Sequence, residues 1–108
     1  MAQFDVHRNR GRNNATIPFV VIVQSARFDT MPSRLVAPLV SPRPGSHRVY
    51  PDLAPEFIVE DQRVVLDALV LQTVPRESLG PLVASLADDA SSDRIIKAID
   101  LVITRAYG

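Results

Sequence analysis

The sequence predicts a mainly β domain of the α+β kind, a bent antiparallel sheet or partial barrel closed on one side by a C-terminal helix. Three observations carry this. Short apolar runs recur from residue 3 to residue 74 and are separated by Pro, Gly, Asn, Asp and Ser. After residue 90 the apolar spacing changes to that of a helix. The chain has 108 residues, the size of one domain spanning 1–108.

Taken in order, Gln3–His7 sets Phe4 and Val6 against polar neighbours, the alternation of a half-buried strand. Arg8–Asn14 is a basic, Asn- and Gly-containing hairpin loop with nothing apolar to anchor it. Ile17–Gln24 is β-branched and aromatic, as in a central strand buried on both faces, with Pro18 at its start. Ser25–Ser33 is a loop. Arg34–Val40 resumes apolar character, and Pro38 restricts it to an edge or a bend. Ser41–Asp52, with Pro42, Pro44, Gly45 and Pro51, is a second long loop.

Pro55–Val59 reads as a short strand, Glu60–Asp61 as a tight turn, and Gln62–Val74 as one long strand. Apolar residues occupy both parities of that strand, so it is buried on both sides or bent to serve two surfaces. Pro81–Leu86 reads as one helical turn, since proline is tolerated at a helix start. Ser91 or Ser92 caps the final helix, with Asp93 in its first turn. Ile95, Ile99, Val102 and Ala106 share one face, which Ile96 and Ile103 widen.

Composition excludes several chemistries. Net charge is zero and cysteine is absent, which argues against a dedicated DNA binder, disulfides and thiolate sites. His7 and His47 have no ligand partner at metal spacing and read as solvated. No serine sits in a Gly-x-Ser-x-Gly elbow, and four scattered glycines build no phosphate loop. Glu60–Asp61 and Asp88–Asp89 lie in polar, exposed stretches unsuited to acid–base work. We therefore expect no enzyme activity, no metal and no cofactor. No apolar run has membrane or signal-peptide length, the longest being Ile17–Val23, so a cytoplasmic, non-membrane protein is expected.

Charge is nonetheless segregated. Arg8, Arg10 and Arg12 share one loop, and Arg43, His47 and Arg48 share the other. They read either as solvated loops or as an electropositive surface for an acidic, flexible peptide. The chain ends in Tyr107–Gly108 at the tip of an amphipathic helix, with Leu101 on its more polar side.

The ordered set of short motifs resembles one family. Gln3-Phe4-x-Val6 opens the chain. Val23-Gln24-Ser25, Asp29-Thr30 and Arg34-x-Val36-x-Pro38-Leu39-x-Ser41 follow. Then come Pro55–Val59, Asp61, Val74-Pro75, Val83-Ala84-x-Leu86 and Ile95-x-x-Ala98-Ile99-x-Leu101. This order is similar to that of the CcdB toxins (control of cell death B).

The resemblance implies an SH3-like antiparallel β-barrel with a small extra sheet and a C-terminal helix, assembled as a homodimer. It implies the toxin of a type II toxin–antitoxin system, which binds the A subunit of DNA gyrase and traps the gyrase–DNA cleavage complex. The implied gyrase surface is Arg27, Phe28, Asp100, Ile103, Thr104, Tyr107 and Gly108. The implied antitoxin surface is Arg8, Arg10, Arg12, Ser25, Arg43 and Arg48, meeting a disordered and acidic antitoxin tail. DNA would be engaged only indirectly, through the toxin–antitoxin complex.

One departure is plain. The family ends in Trp-Gly-Ile, whereas a gapless match places Thr104-Arg105-Ala106 there, and a shift of three residues places Tyr107-Gly108 over Trp-Gly. The alternative is therefore a CcdB-like dimeric binding protein that has lost or changed its gyrase target but still binds an antitoxin.

Overall fold

The computed structural model describes residues 2–43 and 51–105. His47, Arg48, Ala106, Tyr107 and Gly108, all singled out above, lie outside the described residues. The strands are β1 (Asp5–Arg8), β2 (Phe19–Ile22), β3 (Ser33–Val40), β4 (Glu56–Val59), β5 (Gln62–Leu66), β6 (Gln72–Pro75) and β7 (Leu82–Ser85), followed by helix α1 (Asp89–Ile103). They form one antiparallel sheet in the order β4-β5-β3-β2-β1-β7, with β6 also paired to β3. The architecture is the expected SH3-like one, a curled half-barrel with a C-terminal helix. The β4–β5 hairpin, attached through Leu39 and Val40, supplies the small extra sheet.

β2 and β3 are apolar at every parity because both faces of the sheet are covered. Phe19, Val21 and Val23 point to the main core, where Ala37, Leu39, Phe57, Val59, Val64 and Leu66 also lie. Val20 and Ile22 point the other way, to a smaller cluster with Val36, Val74 and Leu79. Ile95 and Ala98 of α1 complete the main core at zero exposure. Complete burial of a side chain such as Phe19, Leu39 or Ile95 is worth about 1.5–3 kcal/mol.

Curling of the sheet is visible in side-chain contacts. The turn joining β4 to β5 has positive φ at both Glu60 and Asp61, the geometry of a two-residue hairpin turn. Glu60 at its tip reaches Arg8 of β1 at 2.5 Å. At the hairpin's base, Arg94 of α1 lies 4.5 Å over the Phe57 ring and donates to the Glu56 carbonyl. The hairpin is thus held against the main core from both sides.

Several expectations are corrected. The stretch predicted as one strand, Gln62–Val74, is two, β5 and β6, both paired to β3. Between them Asp67–Leu71 bulges outward opposite Ala37 and Pro38. This also explains Pro38 in an internal strand rather than an edge. The Val23 N–H to Leu35 carbonyl bond fixes the alternation, so the Pro38 nitrogen faces the gap between β6 and β5, where no N–H is needed. Its carbonyl accepts from the Asp67 N–H at 3.0 Å.

Pro81–Leu86 is not a helical turn but contains β7, because the free edge of β1 offers it a ladder through Val6 and Ala84. Gly80 permits the approach, since a Cβ there would lie 2.3 Å from the Arg8 carbonyl oxygen. His7 is not solvated. It is 4% exposed, with Nδ1 2.9 Å from the Gly80 carbonyl.

On α1, Ile99 and Val102 pack against the core, whereas Ile96 and Ile103 are exposed and do not widen its buried face. The cap is Asp88, not Ser91 or Ser92. Its carboxylate accepts from the Ser91 N–H at 3.0 Å. No described helix is long and apolar enough to cross a membrane.

The Ser91 backbone N–H, and then the Ser91 side chain, hold the Asp88 carboxyl below its ordinary value. A carboxyl so depressed stabilises the fold above the unfolded aspartate value of about 4 and loses that effect as pH falls through the lower folded value. Asp88→Ala should therefore lower the Tm at neutral pH. The difference from the parent should shrink as the pH drops below about 4 in thermal melts followed by circular dichroism. A difference independent of pH would show that the carboxylate is not what caps the helix.

Candidate functional site: an arginine-rimmed cleft and an apolar loop

The smaller apolar face is not fully covered. Val20, Val36, Val74 and Leu79 floor a cleft of about 320 Å³, and Arg8, Asn9, Arg10, Gly11 and Asn13 of the β1–β2 connection form its rim. That connection is tied by one side chain. The Asn9 amide donates to the Ile17 carbonyl at 2.7 Å and to Asn13 Oδ1, and Asn9 Oδ1 accepts from the Gly11 N–H. Asparagine favours such local bonding, which bends the backbone without apolar anchoring.

The cleft combines an apolar floor with a cationic rim. Arg10 is exposed and makes no ion pair with a described residue. The Arg8 guanidinium is shared between Glu60 and the Phe19 ring, 5.7 Å away. Among the described residues, the remaining polar lining is Gln72 and Ser78. Such a surface suits an extended segment carrying both apolar and acidic side chains.

The second arginine loop begins at the same end of the sheet. Ser41 donates from its N–H to the Thr16 carbonyl and from its hydroxyl to the Ala15 carbonyl, which brings exposed Arg43 close to the base of the first loop. Arg12 is also exposed there. Ser25 is not part of this group. It lies beyond the other end of β2, where its hydroxyl accepts from the Arg27 N–H and starts a 3-10 turn over Ala26–Phe28.

That turn belongs to a loop with a different character. Arg27 is exposed, Phe28 is 51% exposed and Met31 is 50% exposed. Two large apolar side chains on one short loop resemble the anchors of a binding surface. Sequence reasoning selected Arg27 and Phe28 but passed over Met31, for which the only signal is an apolar residue amid turn formers.

On α1, Asp100, Ile103 and Thr104 are all exposed, with Ile103 at 69%. The Thr104 N–H and hydroxyl both bond to the Asp100 carbonyl and end the helix. No hydrogen bond or ion pair among the described residues joins this helix end to the Phe28 loop. Among the described residues, no group of His, Cys, Asp or Glu is arranged to hold a metal ion.

A curled antiparallel sheet closed by one helix, with a basic-rimmed cleft and an apolar loop at opposite ends of β2, defines an SH3-like domain built for binding. The profile of the CcdB protein family matches residues 3–105, nearly the whole chain. The chain belongs to the CcdB family, toxins of toxin–antitoxin systems. Among solved structures, it is similar in fold to an endoribonuclease in complex with its cognate antitoxin from mycobacterial species. The TM-score is 0.77 and the identity 14%, covering 100% of this chain and 99% of that one. No curated protein matches the sequence.

Proposed function

We propose that the protein is the toxin of a type II toxin–antitoxin system, that it acts by binding the A subunit of DNA gyrase, and that an antitoxin neutralises it. Family membership over residues 3–105 carries this reading. The exposed Phe28 and Ile103, both in the gyrase surface that the family resemblance implies, support the target. The reading includes a non-enzymatic mode, as the family resemblance implies. The similar mycobacterial structure is an endoribonuclease, and its activity is that protein's own.

The cleft and its rim suit the antitoxin. An acidic tail lying across Arg8, Arg10, Arg12 and Arg43 would gain charge complementarity, while the apolar floor receives its hydrophobic side chains. Repression of DNA would then belong to the complex, since the toxin alone carries no net positive charge.

Self-association into a homodimer is part of the proposal. The apolar residues on both parities of β2, β3 and β5 are used within one chain. Leu69, Ile96 and Leu101 are left exposed outside the cleft and the implied gyrase surface. Covering such residues is the ordinary reason for a two-fold interface.

Three measurements test these statements. Purified protein added to gyrase, ATP and supercoiled plasmid should produce trapped double-strand breaks, and folded Phe28→Asp and Tyr107→Ala variants should not. Absence of breaks from the folded parent would favour a family member with a different target. Charge reversal by Arg10→Glu should weaken binding of the cognate antitoxin tail on the order of tenfold at low salt, chiefly by slowing association. Unchanged association kinetics would remove the rim from the interface. Sedimentation at micromolar concentration should return the dimer mass, and a monomer would contradict the two-fold assembly.

A further inference from the structure

Arg34 is the least expected buried residue in the chain. It is 2% exposed and forms no ion pair among the described residues. Burying a guanidinium is costly unless its donors are satisfied, so its bonds show what the burial achieves. All of them go to the backbone of the Phe28 loop. Nη2 donates to the Asp29 carbonyl at 2.6 Å, and Nη1 donates to the Met31 and Ser33 carbonyls at 2.7 and 3.0 Å.

A second side chain works alongside it. The Gln24 amide donates to the Phe28 carbonyl at 3.0 Å and the Ser33 carbonyl at 3.4 Å. Its own Oε1 accepts from the Leu35 N–H, which fixes the orientation of the amide. The loop's own ladder adds Phe28 N–H to Ser25, Asp29 N–H to Ala26 and Met31 N–H to Phe28. Carbonyls of Phe28, Asp29, Met31 and Ser33 are thus drawn inward by two side chains, while Phe28 and Met31 themselves are left outward.

The bonds that are missing are also informative. Arg34 Nε and Asp29 Oδ1 are both buried and both lack a partner. Neither atom meets the other in a hydrogen bond in this structure. The guanidinium instead holds backbone. Only its planar fork of five donors can gather three carbonyls at once, which a lysine ammonium on a flexible stem cannot reproduce.

We propose that Arg34, assisted by Gln24, is a positioning residue that preorganises the Phe28–Met31 loop for partner binding. The proposal rests on the reading that this loop meets the A subunit of gyrase. Holding two apolar anchors in place before encounter removes an ordering cost that a mobile loop would meet on binding.

The test uses the full chain as parent, Arg34→Lys and Gln24→Ala, the last being the milder change should the first unfold the protein. Amide hydrogen exchange is measured residue by residue, and affinity for the purified A subunit of gyrase by calorimetry, at a temperature where all are folded. Arg34→Lys should accelerate exchange at Phe28, Asp29 and Met31 by tenfold or more. The α1 amides should change less than twofold, and gyrase affinity should fall at least tenfold. Gln24→Ala should loosen the same amides less and weaken binding less. Unchanged exchange in the loop, or a loosened loop with undiminished affinity, would overturn the proposal. So would loss of protection throughout α1, which marks a structural role alone. A parent that does not bind gyrase, with Phe28→Asp no different, would reject gyrase as the partner, and the exchange pattern alone would then decide the brace.

Discussion

β3 is hydrogen-bonded along both edges, to β2 on one side and to β6 and then β5 on the other, and it is buried on both faces. Almost everything else follows from satisfying that strand. Its two partners on one side are pieces of a single run of chain that leaves the ladder where Pro38 has no N–H to offer. The departure releases Asp67–Leu71 and leaves Leu69 and Val70 outside. Departure also lets β5 turn away with β4, and the hairpin then covers the main core until Glu60 meets Arg8. That ion pair is about half exposed and adds little stability alone. Its importance is geometric, since it joins strands separated in the sheet by β3 and β2.

Much of this was legible in the sequence. Continuous apolar character at 19–23 required burial on two faces, and the helical spacing after residue 90 required α1, whereas Pro38 pointed 34–40 to an edge or a bend. What was not legible depended on partners distant in sequence. Leu82–Ser85 carries no strong strand signal, and only the unfilled edge of β1 makes it β7. Asp88 outcompeted two serines as cap because its carboxylate lies where the Ser91 N–H points, a distinction of one turn that residue type alone does not make. His7 read as solvated because it ends a predicted strand and has no partner at metal spacing, yet the approach of Gly80 closes over it.

The candidate site divides along the same line. Arginines at 8, 10, 12 and 43 were singled out in the sequence, and the Ser41 bonds to Ala15 and Thr16 tie the chain at 41 to the base of the first loop. Ser25 was grouped with them by family position but sits with Arg27 and Phe28 at the other end of β2. Arg34 was visible only as a charged residue opening an apolar strand. Its burial depends on where the carbonyls of the preceding loop fall, including that of Ser33 immediately before it. No periodicity encodes such an arrangement.

The separation of the two ends has a mechanical consequence. The cleft rim and the Phe28 loop are both fixed to β2, whose four strand residues are paired to β3 along their whole length and to β1 over most of it. Two binding events at opposite ends of one rigid strand can be independent or coupled, and rigidity alone does not couple them. Coupling requires an element with two discrete arrangements that both ligands bias. Arg34 and Gln24 brace the Phe28 loop at one end of that strand, and the Asn9 bonds brace the cleft rim at the other, so each site is organised by its own side chains.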